Sequence, residues 1–357
     1  MDRVLHILPH PGGGGERVVD RLEEMGGGIE HRRTYLAPTR SPLRAAPGIL
    51  ARRPRLSAEA RSADLVHVVG DTAAMIALGP LRERPSVFGT HGLHLMRRVH
   101  GPVARAARRR MGSVLRAATV VACTSQAELR ELKAIEPGAR LELALNGIPL
   151  PPPVDAAERE RVRAELDLPP DVFAVLFLGE LEPRKHPLTA AEAVIELDRS
   201  GQRAVLLAAG DGPLRADLER LAGPALRVLG FRDDADRLLA AADAFVMPSE
   251  REGLSLAVLE AMGRGLPVVV SDGAGNPEAV GDAGIVVPLG DAAALAEELR
   301  RLAADPTRRA QLGDDARRRV EETFTLERWQ ADMRGVFEAA LEAGPTVPAR
   351  AAGAGRA

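Results

Sequence analysis

In the stretch SEREGLSLAVLEAMGRGLPVVV (249–270) the glutamates Glu252 and Glu260 bracket seven residues that are nearly all small or apolar. A carboxylate among Leu256, Val258, Leu259 and Met262 is costly to bury unless something hydrogen-bonds it. The pattern predicts a helix from about Ser255, which puts Glu252 in the loop before it and Glu260 on its second turn. The N–H groups of Gly253, Leu254 and Ser255 then lie unpaired at the positive end of the helix dipole. Amides for phosphate or hydroxyl oxygens, flanked by carboxylates that accept from sugar hydroxyls, make a compact recognition device. A diol such as a ribose would satisfy Glu260, which meets no basic residue before Arg264. Glu252 has a plainer alternative, because Ser249-x-x-Glu252 fits a capping box.

Three further segments could hold anions. FLGELEPRKH (177–186) sets Arg184 and Lys185 beside a helix start at Pro187, where cations would clamp a diphosphate; a solvated basic loop is the alternative. PGGGGERVVDRLEEM follows the first apolar run and opens a helix, so an anion near Gly13 and Gly14 is expected unless the glycines only make a flexible turn. The dinucleotide spacing G-x-G-x-x-G with a later acidic residue is not met, which argues against an NAD fold. LMRRVHGPVARAARRRMGSVLRAA places Arg105, Arg108 and Arg109 on one helical face. That face would meet an anionic membrane surface or a lipid phosphate, or simply water.

These loops need elements to position them. Short apolar runs (RVLHIL, DLVHVV, PSVFGT, TVVACT, AVLFLG, AVLLAA, LRVLG, DAFVMP, LPVVVS) alternate with amphipathic stretches, the signature of βαβ units and parallel sheets. NGIPLPPPVD (146–155) breaks the pattern, since three prolines continue neither a helix nor a central strand. The expected organisation is an α/β chain of two doubly wound domains, 1–150 and 151–325. A helix over 326–342 and a disordered tail over 343–357 complete it. With 357 residues and 45% hydrophobic content, two buried cores are affordable. Residues 1–150 hold 23 Lys+Arg against 14 Asp+Glu and the remainder 25 against 36, so the halves differ in charge and are expected to differ in partners. The single cysteine, Cys123, allows neither an intrachain disulfide nor a metal cluster. The N-terminus reads as a first strand rather than a signal peptide, and no apolar run is long enough to span a bilayer; a cytoplasmic location is the default expectation. Aromatics at 3% and the absence of a binding motif argue against nucleic acid.

Taken in order, the segments resemble the retaining glycosyltransferases of the GT-B fold, specifically glycosyltransferase family 4. EGLSLAVLEAMGRGLPVVVSDGAGNPEAV matches the family's E-(seven residues)-E, G-x-P-V-V and Gly-x-x-Glu pattern, GGGGER its glycine loop, and THG (90–92) its histidine loop. CTSQAELREL and NGIPL match the end of the acceptor domain. GELEPRK, GDGP and DDADRLLAAADAFVMPS match the donor domain. The resemblance implies two Rossmann-like domains facing a central cleft, with the N-terminal one binding the acceptor and the C-terminal one the donor. It also implies retaining, metal-independent transfer of a sugar, in the manner of a hexosyltransferase, from a nucleotide-diphospho-sugar donor.

By the same resemblance Glu260 accepts the ribose hydroxyls, and Arg184 with Lys185 neutralises the diphosphate. Glu252 with the amides of Gly253, Leu254 and Ser255 holds the transferred sugar and the distal phosphate, which Gly14 meets from the other domain. His91 lies at the sugar's reacting face, and no metal or other cofactor is expected. The acceptor is an unidentified small molecule, glycan or lipid-linked group, and a peripheral contact with the inner membrane face is a further expectation. One position departs from the pattern: the family's arginine after the glycine of the donor-domain loop is replaced by Glu180, which cannot pair a diphosphate. Either Arg184 supplies the missing charge or Glu180 points away. The competing expectations are a GT-B sugar-nucleotide epimerase or hydrolase, and a non-catalytic nucleotide-sugar-binding protein.

Overall fold

The computed structural model describes residues 3–12, 14–26, 28–37, 55–273 and 275–347. It divides into two compact units, Met1–Leu145 with Glu327–Ala357, and Asn146–Leu326.

The first unit is built on six parallel strands: β1 (Arg3–Leu8), β2 (Glu30–Tyr35), β3 (Leu65–Val69), β4 (Ser86–Gly89), β5 (Val120–Cys123) and β6 (Leu141–Leu143). Their spatial order is β2-β1-β3-β4-β5-β6. Inner strands such as LVHVV in β3 and VVAC in β5 are buried at every position, as expected of a sheet covered on both faces. Edge strand β2, EHRRTY, is half-buried and polar, so it carries no apolar run by which the sequence announces it. The helix Leu326–Ala343 belongs to this unit from Glu327 onward: Gln330 Nε2 donates to Arg21 O at 2.8 Å, and Phe337 packs against the sheet. Residues 344–347 correct the expectation of a disordered tail from 343. Thr119 Oγ1 donates to Gly344 O at 3.0 Å, Thr346 Oγ1 to Ala117 O at 2.9 Å, and Val347 N to Arg82 O at 3.3 Å. The rest of that predicted tail lies outside the described residues.

The second unit holds β7 (Phe173–Leu178), β8 (Ala204–Ala209), β9 (Leu226–Gly230), β10 (Ala244–Met247), β11 (Val268–Ser271) and β12 (Ile285–Val287). Their order is β12-β11-β10-β7-β8-β9, all parallel. This is the doubly wound arrangement, with its topological switch point between β7 and β10. Arg159 and Arg163 of the helix Ala156–Glu165 fasten the start of the unit to Asp243, at 2.7 and 3.1 Å. Its two ends are stitched together: Ile148 N donates to Phe324 O at 2.9 Å and Leu326 N to Ile148 O at 2.8 Å. All nine apolar runs named from the sequence form strands; β2, β6 and β12 are the additions.

Candidate active site

In open α/β sheets ligands bind beyond the carboxyl ends of the strands at the switch point. In the second unit the segments leaving β7 and β10 carry Arg184 and Lys185, and Glu252, respectively. Arg184 and Lys185 sit in a 3₁₀ turn, Pro183–Lys185, and His186 adopts a left-handed φ of 51° at the start of the helix Pro187–Arg199. The two loops are joined through the backbone, where Glu250 N donates to Arg184 O at 2.8 Å.

Glu252 is 5% exposed, and its Oε1 lies 2.6 Å from Lys185 Nζ and 3.6 Å from Arg184 Nη1. A carboxylate so buried must be paired or hydrogen-bonded, and Lys185 is close enough to pair it. Arg184 Nε also lies 2.6 Å from Glu182 Oε1, while Glu180, its side chain 55% exposed, stands 4.0 Å from Arg184 Nη2. Both cations predicted to clamp a diphosphate are therefore held among carboxylates, and Glu180 is turned largely to solvent.

The helix after β10 runs from Leu256 to Gly263 with Ser255 at its N-cap. A capping box at Ser249 and Glu252 does not form, because the helix starts four residues past Glu252 and Ser249 is engaged elsewhere. Asn276 Nδ2 donates to Ser249 Oγ at 3.0 Å, and Ser271 Oγ donates to Ser249 O at 2.5 Å. The N–H groups of Gly253, Leu254 and Ser255 make no hydrogen bond among the described residues, as expected of a helix start. Asn146 Nδ2 holds Leu254 O at 3.0 Å. The loop after β11 lies flush against this segment: a Cβ on Gly275, whose φ is +90°, would come within 2.1 Å of Gly253 O. Only glycine permits that approach. Glu260 lies on the second turn of the helix and is half-buried, between fully buried Leu259 and Ala261. The carboxylate with the burial problem is thus Glu252, and Lys185 answers it.

In the first unit the loops after β1, β3 and β4 gather a different set of groups. Gly14 opens the helix Gly14–Glu23, and a Cβ there would meet nothing, so its backbone is open; Gly13 lies outside the described residues. Glu16 folds back over the loop, accepting from Gly12 N and from Tyr35 OH, each at 2.5 Å. These two bonds hold its carboxyl below the usual carboxylate range.

After β4, Thr90–Leu93 makes a tight turn with positive φ at His91 (44°), Gly92 (110°) and Leu93 (47°). Such a turn persists only where its surroundings fix it. The agent is Glu128, fully buried on the helix Gln126–Lys133. Its carboxylate accepts from Gly92 N at 2.8 Å, Thr124 N at 3.1 Å, Thr124 Oγ1 at 2.8 Å and Thr90 Oγ1. Buried Asp71 takes Met96 N at 2.8 Å, and Arg97 Nη1 donates to Gly92 O at 2.8 Å. Both ring nitrogens of His91 are buried without a partner among the described residues, and burial lowers its pKa to about 4. His91 is therefore neutral near pH 7 and acts there as a hydrogen-bonding group rather than a cation. Glu128 and Asp71 were not singled out from the sequence. The available signal was Ser125, three residues before Glu128, a capping pattern that Ser125 Oγ fulfils toward Glu128 N at 3.1 Å.

Two doubly wound parallel sheets, each with its loops gathered beyond the strand ends, define the GT-B class, and solved members of that class align over nearly the whole chain. Sucrose-phosphate synthase from Thermosynechococcus elongatus aligns with a TM-score of 0.78 at 21% identity, covering 96% of this chain and 100% of that one. Anabaena Alr3699/HepE in complex with UDP-glucose aligns at 0.77 and 19%, covering 95% and 100%. Residues 5–150 match Glycosyltransferase Family 4 and residues 173–305 match Glycosyl transferases group 1. A GDP-mannose-dependent alpha-(1-6)-phosphatidylinositol monomannoside mannosyltransferase of Mycolicibacterium smegmatis is 32% identical over 340 residues, spanning 88% of this chain and 84% of the relative. The chain belongs to glycosyltransferase family 4 and is a glycosyltransferase that uses a nucleotide-sugar donor. Among the described residues no helix is long and apolar enough to cross a membrane.

Proposed function

We propose that the chain transfers a hexose from a nucleotide-diphospho-sugar with retention of anomeric configuration and without a metal ion. The observation that carries this reading is the ion pair of Lys185 with buried Glu252, set beside the amides of Gly253, Leu254 and Ser255, which meet no acceptor among the described residues, at the β7/β10 switch point. A departing nucleotide diphosphate needs its charge stabilised, and fixed cations with helix-start amides supply this without a metal. In this reading Arg184 and Lys185 take the diphosphate, Glu252 with the three amides takes the transferred sugar and distal phosphate, and Glu260 takes the ribose. The glycine loop at Gly14 offers further backbone donors, and neutral His91 positions the reacting sugar.

Titration calorimetry with GDP, UDP, ADP and dTDP tests the donor site. One nucleotide is expected to bind clearly, GDP first by the name of the mannosyltransferase relative, and Glu260→Ala is expected to weaken it several-fold. Unchanged affinity in a folded Glu260→Ala variant removes the ribose role. Product analysis by NMR then reads the anomeric linkage, where inversion would defeat the retaining assignment. Chelator is expected to leave the rate unchanged.

The acceptor follows from a separate observation. The helix Gly101–Ala117 exposes Arg105, Arg108 and Arg109, with Val103 60% exposed beside them. Cations around an exposed apolar side chain suit a lipid-linked acceptor at an anionic membrane surface. Sedimentation with anionic against neutral vesicles tests it, and equal binding to both sinks it.

A further inference from the structure

Three histidines behind His91 form a continuous chain inside the first unit. His6 on β1 and His67 on β3 are direct neighbours across the sheet, and both are 0% exposed. Their Nδ1 atoms lie 2.9 Å apart, and His6 Nε2 lies 2.8 Å from Nδ1 of His31 on β2. The His6 and His31 rings stack, with centroids 5.1 Å apart and 13° between planes. His67 turns its remaining nitrogen, Nε2, toward Gly89. That atom is buried without a partner among the described residues, and so are both nitrogens of His91. A Cβ on Gly89 would lie 2.9 Å from His67 Nε2 and 2.7 Å from His91 Nε2, so the two nitrogens face one small space that only a glycine leaves open. Phe337 packs edge-on against His67 at 5.5 Å and closes off the other side of the ring.

A neutral imidazole has one N–H and one lone pair. The chain therefore has two consistent states. In one, His31 donates to His6, His6 donates to His67, and His67 shows an N–H at Nε2. In the other every donor is reversed, and His67 shows a lone pair there. Protonating a member would break this pattern, and burial opposes it by lowering His67 to about 3.

We propose that His67 is a positioning residue for His91: the hydrogen bonds through His6 tie the tautomer of His67 to that of His31, so that the three rings can only reverse together, and His67 Nε2, facing His91 Nε2 across Gly89, selects the tautomer and ring orientation of His91. The role of His91 at the transferred sugar rests on the function proposed above. The coupling between the rings does not.

Two-bond 1H–15N spectra of the full chain, labelled at histidine, read each tautomer directly. In the wild type His6, His67 and His91 are expected as single neutral tautomers at pH 7. His6→Phe keeps an aromatic ring but cuts the chain, and is expected to leave His67 exchanging between tautomers and to move the His91 ring-nitrogen signals. Should that variant not fold, His31→Phe cuts the chain at its half-buried end. With GDP-mannose as donor probe, His67→Phe is expected to lower kcat about tenfold with KM little changed, and His67→Gln to recover part of the loss. Unmoved His91 signals in folded His6→Phe and His67→Phe variants would overturn the proposal. Moved signals in a chain that transfers no sugar would uphold the coupling and count against the proposed function alone.

Discussion

In the second unit the groups beyond the strand ends are charged and already paired: Lys185 and Arg184 sit on Glu252, and Glu182 and Glu180 flank them. In the first unit the loop after β4 presents a neutral group, His91, kept uncharged by burial, with its turn fastened by Glu128 through hydrogen bonds to backbone and hydroxyl donors. The difference follows from what each set has to do before a ligand arrives. In the function proposed above the cations take phosphate; until then they must be kept apart from one another and stabilised, and carboxylates do both. A neutral imidazole gains nothing from a counter-charge and needs its orientation fixed instead. Charge is stored in one unit and direction in the other.

The sharpest way to break that contrast is Lys185→Ala. It takes from a carboxylate that is 5% exposed the nearer of its two cations and leaves Arg184 at 3.6 Å, and a cost of about 3 kcal/mol in the stability of the second unit is expected from denaturant unfolding, with nucleotide affinity lost alongside. Glu128→Gln is the counterpart in the first unit. It keeps the shape but puts an amide N–H₂ among donors, and should cost about 2 kcal/mol and lower turnover with nucleotide affinity intact, as calorimetry and rate assays would show.

Acidification separates the units without mutation. His67 has its folded pKa lowered from 6.5 to about 3, so the unfolded chain binds the proton first. Its contribution is fully present above pH 6.5 and is lost as pH falls toward 3, at about 1.4 kcal/mol per pH unit in between. Unfolding midpoints measured from pH 7 to 4 should fall less steeply in His67→Phe. The smallest stability effect is expected from Glu180→Arg, an exposed position that stands 4.0 Å from Arg184. Stability should shift by less than about 0.5 kcal/mol. Nucleotide affinity should nevertheless rise several-fold, which calorimetry would detect.

The legibility of the two units in the sequence was unequal for physical reasons. The switch-point loops of the second unit are local: Arg184 and Lys185 adjoin a helix start, and Glu252 and Glu260 bracket another, so order along the chain already groups them. Which carboxylate was buried was not legible, because burial of Glu252 depends on Lys185, 67 residues away and brought near by the β7–β10 pairing. In the first unit His91 stood out beside a glycine. Its supports did not, since Glu128 looks like a surface helix residue and meets Thr90 only through the β4–β5 pairing. His6 and His67 did leave a trace. Each interrupts an otherwise apolar run, VLHIL and LVHVV, at a position the sheet buries on both faces. The polar edge strand EHRRTY, which brings in His31, has neither alternation nor an apolar run, so nothing local marked it.

The stitched ends of the second unit set the order in which the protein can be finished. Ile148, Phe324 and Leu326 close residues 146–326 on themselves, so the closing bonds of that unit need nothing beyond Leu326. The first unit begins emerging earlier yet lacks the helix Leu326–Ala343, and with it the Phe337 ring behind His67, until residues 327–343 have been made. At ribosomal rates of about 5–20 residues per second the intervening segment takes roughly 10–40 s to make. For that interval the face of the first sheet that receives Phe337 waits uncovered. The unit that starts first is the one that folds to completion last.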